Sequence, residues 1–169
     1  HGLLDRESGA GVYDKGVIVD FSMSMVVIAK IMRLLGVDSL HGGAPKGKME
    51  NYNEPMLIQQ ALQEDITPAT DMTLGQNWYG MKGVWHTASG GLHPGTIGES
   101  ITRLGENLIV QAGGGVLGHP WGIEAGVEAM VQARDIAMQK EDLNKWIIEH
   151  PDSALAKAAH YWGFDPKFV

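Results

Sequence analysis

The sequence predicts an α/β protein built on parallel strands, and three observations support that prediction. Short segments that read as strands lie near residues 37–41, 83–88 and 107–112. Each of these segments runs directly into glycine or other turn-forming residues. Segments of helical composition alternate with them along the chain. Because strand, glycine turn and helix recur in that order, the pattern indicates three parallel βα units.

The other elements are expected in the following order. A loop occupies residues 1–20, and residues 65–82 are polar and turn-rich, which is typical of a surface loop. Pro55 can occupy the first turn of a helix, where its missing N–H is not needed. Helices are expected at Phe21–Leu35, 54–64, Thr96–Leu104, Ile123–Met138, Asp142–Glu149 and Ser153–Trp162.

Apolar spacing predicts which faces of two helices are buried. In the first helix Met23, Val27, Ile31 and Leu34 recur every three or four residues, which predicts one buried face with Lys30 and Arg33 turned outward. The same spacing predicts a buried face in the long fourth helix, made of Val127, Met130, Val131 and Ala137.

The three predicted strands are too few to form a closed structure. Three parallel strands leave two open edges, and parallel sheets are normally covered on both faces. A complete (β/α)8 barrel needs about 250 residues, whereas this chain has 169. We therefore expect the C-terminal portion of such a barrel over residues 1–140 and a helical extension over residues 141–169.

Composition excludes several classes of function. An apolar content of 44% and a charged content of 20% are those of an ordinary globular protein. The formal charge of −7 argues against general nucleic-acid binding, which needs a basic excess. The chain has no cysteine, no apolar run of membrane-spanning length and no visible signal peptide. We expect a cytoplasmic protein with no membrane or nucleic-acid partner.

Glycines after two adjacent strands point to a phosphate. Ser89–Gly91 and Gly113–Gly115 follow the second and third strands. Glycine lets backbone N–H groups approach an anion closely, and the start of a helix adds the positive end of its dipole. Two such turns on neighbouring barrel strands can bind one phosphate. Glycine pairs after strands are also ordinary turns, so spacing alone leaves both interpretations open.

Polar residues near the strand ends are candidates for chemistry. Lys48 lies in a glycine-rich loop and could place a positive charge over a substrate, with Glu50 orienting it. An ordinary solvated loop lysine is the alternative. His41 could donate to a phosphate or be a satisfied core histidine. Ser89 lacks a Gly-x-Ser-x-Gly motif, so a hydrolase nucleophile is not indicated.

The other histidines do not indicate a metal site. His86, His93 and His119 are scattered, and none has the spacing of a two-histidine ligand pair on one helix. His119 is expected to shape the start of the helix that follows it. His150 and His160 are interpreted as surface or packing residues.

Four motifs together resemble the C-terminal half of the ribulose-1,5-bisphosphate carboxylase/oxygenase large subunit. They are Gly47–Glu50, Ala88–Gly91, Gln111–Gly122 and, at the start of the chain, His1–Arg6, which resembles the segment after the fifth barrel strand of that family. The resemblance covers essentially the whole chain and places its strands at about strands six to eight of the barrel. Ser89–Gly95 resembles the archaeal branches more closely than the plant enzymes.

The resemblance implies roles for four polar residues. Lys48 would be the lysine of the closing loop, which steadies the carboxylate formed when CO2 adds to the enediolate, and Glu50 would support it. His41 would bind one phosphate of the bisphosphate. Ser89 would hydrogen-bond a substrate hydroxyl.

The same resemblance implies a second phosphate site and a further catalytic residue. Gly91, Gly113 and Gly114 would bind the other phosphate through backbone N–H groups. His1 would match the second histidine of the family's His-Arg-x-x-His segment. The implied reaction gives two molecules of 3-phosphoglycerate, with oxygenation as a side reaction.

The resemblance also implies groups that this sequence does not supply. The family's Mg2+ site, a carbamylated lysine with neighbouring acids, would lie in earlier strands outside this chain, so no metal ligand is predicted here. The partners implied are ribulose 1,5-bisphosphate, CO2, the N-terminal remainder of the large subunit and a second subunit in a homodimer or higher oligomer. We expect the isolated 169 residues not to form a stable active monomer.

Other functions remain open on the sequence alone. One is a carboxylase-like protein that enolises or isomerises a related sugar phosphate, although such relatives often lack the loop lysine matched here by Lys48. An unrelated phosphate-binding barrel such as an isomerase is another. A non-catalytic phosphate-binding barrel fragment is the last.

Overall fold

The computed structural model describes residues 23–46, 53–71 and 73–165. The elements in chain order are α1 (Met25–Leu34), β1 (Ser39–His41), α2 (Glu54–Gln63), β2 (Ile66–Thr67), β3 (Gln76–Asn77), β4 (Trp85–Ser89), α3 (Pro94–Leu104), β5 (Leu108–Gln111), α4 (Gly114–Leu117), α5 (Ile123–Gln139), α6 (Leu143–Glu149) and α7 (Ala154–Trp162). Within these residues no helix has the length and apolar character needed to cross a membrane.

The three predicted strands form one parallel sheet in the order β1-β4-β5. His41 pairs with Thr87, and Ser89 pairs with Gln111, so the carboxyl ends of all three strands lie at one edge. The prediction of a parallel α/β fold is confirmed. The expected loop at 65–82 contains a short antiparallel hairpin, β2 with β3, because Ile66 and Thr67 pair with Asn77 and Gln76.

Helices cover one face of this sheet. Side chains alternate across a strand, and Val84 and Ala88 lie in two hydrophobic clusters with the buried faces of the helices. On the other face, Trp85 is 46% exposed and Ile109 is 42% exposed. The sheet therefore has one covered and one open apolar face within the described residues.

The predicted buried face of α1 is wrong, and that of α5 is wrong in part. In α1 the predicted residues Met23, Val27, Ile31 and Leu34 are exposed, and the helix instead buries Met25, Val26, Ile28, Ala29 and Arg33. In α5 the predicted residues Val127 and Val131 are exposed, whereas Met130 is partly buried against the core and Ala137 is half-buried. The fully buried residues of this helix are Gly126, Ala129, Ala133 and Ile136. Both helices carry apolar residues around most of their circumference, so periodicity did not select the packed side.

Arg33 was predicted to point outward and is buried, with 2% of its surface exposed. Its guanidinium donates to four backbone carbonyls: Ala61 at 3.0 Å, Glu64 at 2.7 Å, Met81 at 2.8 Å and Lys82 at 3.2 Å. The first two lie at the C-terminal end of α2, where carbonyls lack helical partners. Arg33 thus ties α2 to the segment that leads into β4.

Replacing Arg33 with methionine is expected to destabilise the fold by about 3 kcal/mol, because it leaves buried carbonyls without donors. The variant also loses the contact of the guanidinium with the Trp78 ring, 4.4 Å from its centroid. Lys30→Met on the same helix is the control, since Lys30 makes one exposed hydrogen bond to Leu74 O. Urea unfolding of both variants in the complete protein checks this, and equal midpoints would contradict it.

Candidate functional site

The predicted site residues of β1 and β4 meet at the carboxyl edge of the sheet. His41 is the last residue of β1, Ser89 is the last residue of β4, and the His41 Nδ1 atom lies 3.1 Å from the Ser89 hydroxyl. This contact fixes both side chains relative to each other. Gln111, the last residue of β5, pairs with Ser89 in the register of the sheet.

The turn after β4 has a backbone shape that favours glycine. Gly90 has a φ of 99° and Gly91 a φ of 72°, both in the left-handed region where a side chain is strained. This turn leads through Leu92 to His93, the N-cap of α3, whose Nδ1 accepts from the Gly95 N–H at 3.2 Å. Because Gly90 and Gly91 allow this sharp turn, the backbone between Ser89 and His93 stays beside the carboxyl end of β4.

The glycines after β5 divide into two kinds. A Cβ atom on Gly113 or Gly114 would meet nothing within 4 Å, whereas a Cβ on Gly115 would overlap the carbonyl oxygen of Leu92. Gly115 is needed for close packing of the two turns. Gly113 and Gly114 instead line open space, and they begin the short helix α4.

These turns border a cleft of about 550 Å3. Six of the residues that line it are Ser89, Gly91, Gln111, Gly113, Gly114 and Tyr161. The lining thus contains glycine backbone, a hydroxyl and an amide, which are groups that can hydrogen-bond an anionic, hydroxylated ligand.

The C-terminal helix supplies a wall of the cleft that the sequence analysis missed. Tyr161 and Trp162 both line it. The Trp162 ring lies 5.7 Å from the His93 ring and 6.0 Å from the His119 ring, measured between centroids. The sequence shows Tyr161 and Trp162 only as an aromatic pair at the end of a helix. That pattern does not predict that they contact the turns after β4 and β5, which lie far away in the chain.

His119 lies where the sequence analysis expected it, just before α5. Its Nδ1 accepts from the Trp121 N–H at 3.1 Å, and its Nε2–H donates to the Ala154 carbonyl at 3.0 Å. The buried ring therefore joins the turn before α5 to the first residue of α7.

Three predicted residues, His1, Lys48 and Glu50, lie outside the described residues, so their roles stay predictions. The described lysine before that loop, Lys46, lies 3.6 Å from Glu99 and 3.4 Å from Asp165. Its charge is shared by two carboxylates.

A metal site is not found in the part of the chain that the structure describes: no three His, Asp or Glu side chains are grouped there to hold an ion. The residues that line the cleft supply hydrogen-bond donors for an anion. They do not fit Mg2+, which prefers carboxylate and water oxygens.

The fold and the cleft define an α/β protein with a cleft at the carboxyl ends of parallel strands, the place where such folds build their sites. The family model described as ribulose bisphosphate carboxylase large chain, catalytic domain, matches residues 6–162. The chain belongs to this family.

Three relatives illustrate the match. The ribulose bisphosphate carboxylase of Methanocaldococcus jannaschii is 40% identical over 146 residues, which is 85% of this chain and 34% of the relative. The solved dimeric archaeal Rubisco from Hyperthermus butylicus is 39% identical, with a TM-score of 0.73 over 85% of this chain and 33% of that one. The octameric Rubisco of Pyrococcus horikoshii is 37% identical, with a TM-score of 0.68 over 84% and 31%. The chain spans about a third of the length of these relatives.

Proposed function

We propose that the chain is the C-terminal part of a ribulose-1,5-bisphosphate carboxylase, covering about strands six to eight of a (β/α)8 barrel. The observation that carries this proposal is the cleft that Ser89, Gly91, Gly113 and Gly114 line in a chain of the carboxylase family. The open sheet face at Trp85 and Ile109 suits a barrel interior that preceding strands complete. In this proposal residues 1–140 belong to the barrel and residues 141–169 form a helical extension.

The site binds the substrate through its two phosphates, one in the cleft and the other at His41, which contacts the cleft residue Ser89. Backbone N–H groups at Gly91, Gly113 and Gly114 hold one phosphate, and His41 donates to the other. The contact between His41 and Ser89 orients the serine hydroxyl toward a hydroxyl of the substrate. These contacts fix the sugar chain in an extended pose across the strand ends, which is the positioning that enolisation and carboxylation require.

Charge at the reacting carbon is handled by residues beyond the described ranges. The Lys48 ammonium stabilises the carboxylate that forms as CO2 adds to the enediolate, and Glu50 orients that lysine. His1 is the catalytic residue that matches the second histidine of the family's His-Arg-x-x-His segment. Addition of CO2, hydration of the resulting ketone by one water molecule and cleavage of the adjacent carbon–carbon bond give two molecules of 3-phosphoglycerate, and O2 competes as a side reaction. We place the Mg2+ ligands in the preceding part of the large subunit.

The assembly proposed for the complete protein is a cytoplasmic homodimer or a larger oligomer of such dimers. The solved archaeal relatives are described as dimeric and octameric. The partners are the N-terminal remainder of the large subunit and a second complete subunit.

A fusion tests the proposal. Residues 1–169 are joined behind the first two thirds of the Methanocaldococcus jannaschii relative, and fixation of radiolabelled CO2 is measured with ribulose 1,5-bisphosphate. We expect fixation that requires the bisphosphate, while the first two thirds alone fix none. An assembled fusion that binds the bisphosphate and fixes no CO2, beside an active M. jannaschii enzyme, would contradict the carboxylase assignment.

A further inference from the structure

His86 lies behind the candidate site, on the face of β4 that the helices cover. It has no exposed surface, and it pairs in the sheet with Leu40 of β1 and Leu108 of β5. Because side chains alternate along a strand, His86 points away from the face that carries Thr87 and Ser89. A ligand at the carboxyl edge of the sheet therefore does not touch the side chain of His86.

The ring of His86 contacts the turn that follows His41. Its Nε2 atom lies 2.8 Å from the carbonyl oxygen of Gly43, and because a carbonyl only accepts, Nε2 carries the proton. A Cβ atom on Gly42 would overlap the same ring. The Gly42 N–H in turn donates to the Thr87 carbonyl at 3.2 Å. The turn is therefore held both by the backbone of β4 and by the side chain of His86.

Stability alone does not account for a histidine at this position. The Nδ1 atom is buried and has no hydrogen-bond partner among the described residues, which costs free energy that an apolar side chain would avoid. Burial lowers the pKa of His86, and the nearby His41 lowers it further, against the opposing effect of the bond to Gly43. The ring is thus kept neutral, with one donor aimed at Gly43.

The turn held by His86 begins at a residue of the proposed phosphate site. His41 directly precedes Gly42, and its ring lies 3.1 Å from the Ser89 hydroxyl. Because Gly42 is bonded directly to His41, a shift of the turn would move the backbone of His41 and change that contact.

We infer that His86 is a positioning residue: it holds the Gly42–Gly43 turn so that His41 is set for the substrate phosphate. This inference rests on the proposed function, because His41 is the group through which His86 acts.

Steady-state kinetics of the fused enzyme test the inference with four variants. His86→Leu keeps a side chain of similar size and removes the hydrogen-bond donor. We expect KM for ribulose 1,5-bisphosphate to rise about tenfold, which corresponds to one lost buried hydrogen bond, and kcat to change less. His86→Gln retains an N–H at similar reach and restores most of the affinity. Adding His86→Leu to His41→Ala should change KM less than about twofold, because coupled residues are not additive.

A crystal structure of the fused His86→Leu variant gives a readout that does not need turnover. The distance from His41 Nδ1 to the Ser89 hydroxyl is expected to exceed about 3.5 Å, beyond hydrogen-bonding range. His86→Asn, whose amide is too short to reach Gly43, replaces His86→Leu if the latter does not fold.

The outcomes separate this inference from the proposed function. An unchanged KM, an equal effect of His86→Leu with and without His41, or an unchanged His41–Ser89 distance would overturn the positioning role. An unmodified fusion that assembles, binds the bisphosphate and fixes no CO2 contradicts the carboxylase proposal instead, and the crystal structure then still decides the role of His86.

Discussion

Lys48→Ala in the complete enzyme is expected to lower the rate of carboxylation by about a thousandfold while enolisation of the bisphosphate persists. The ammonium stabilises a carboxylate that exists only once CO2 has begun to add, so its loss raises the barrier of that step alone. Two assays check this: fixation of radiolabelled CO2, and exchange of the substrate C3 proton with solvent.

Lys46→Ala is the matched control for Lys48. Lys46 lies two residues earlier and is paired with Glu99 and Asp165, so its removal should leave both partial reactions largely intact. Equal loss of enolisation and carboxylation in the Lys48 variant would exclude the proposed role. The proposed role would also be excluded if the Lys46 variant lost carboxylation alone, to the same extent as the Lys48 variant.

Gly113→Leu is expected to weaken binding of the bisphosphate, because the leucine side chain occupies the space proposed for a phosphate. The expected loss of affinity is at least about a hundredfold, which corresponds to two lost charge-assisted hydrogen bonds. The fold itself should tolerate the change. Gly113 has a φ of −85°, and a Cβ atom there meets nothing within 4 Å. Isothermal titration of the fused enzyme with ribulose 1,5-bisphosphate measures the affinity.

Two alanine variants separate the site from general effects of glycine replacement. Gly98 lies within α3, and a Cβ atom there makes only an ordinary contact with Ala137 at 3.8 Å, so Gly98→Ala should bind the bisphosphate normally. Gly115→Ala should instead destabilise the fold, since its Cβ overlaps the Leu92 carbonyl. An unchanged affinity in Gly113→Leu would remove Gly113 from the phosphate site.

The sequence predicted the framework of the sheet because its signals are local. Each strand is a short segment that runs into turn residues. The turn at Gly90 and Gly91 needs positive φ angles, which glycine supplies. The positions of His41 and Ser89 at strand ends followed from the same pattern. The alternation of strands and helices predicted that the strands are parallel with their ends on one face. The contact between His41 and Ser89 depends in addition on the register of β1 with β4, which that pattern does not give.

The features that the sequence did not predict depend on distant contacts. The acceptors of Arg33 lie 28 to 49 residues away in the chain, so helical periodicity alone assigned its side chain to the solvent. Tyr161 and Trp162 reach the cleft because α7 packs on α5 through buried alanines, including Ala129 and Ala158. Small residues of this kind carry little signal of which faces meet.

The most direct test of the account is the fate of isotope-labelled CO2 in the fused enzyme. Ribulose 1,5-bisphosphate is supplied with CO2 carrying a heavy carbon isotope, and the products are analysed by mass spectrometry. The account predicts two molecules of 3-phosphoglycerate per bisphosphate consumed, one of them labelled in its carboxyl group. Consumption of the bisphosphate to an unlabelled enol or isomer would contradict it and would indicate a sugar-phosphate isomerase instead.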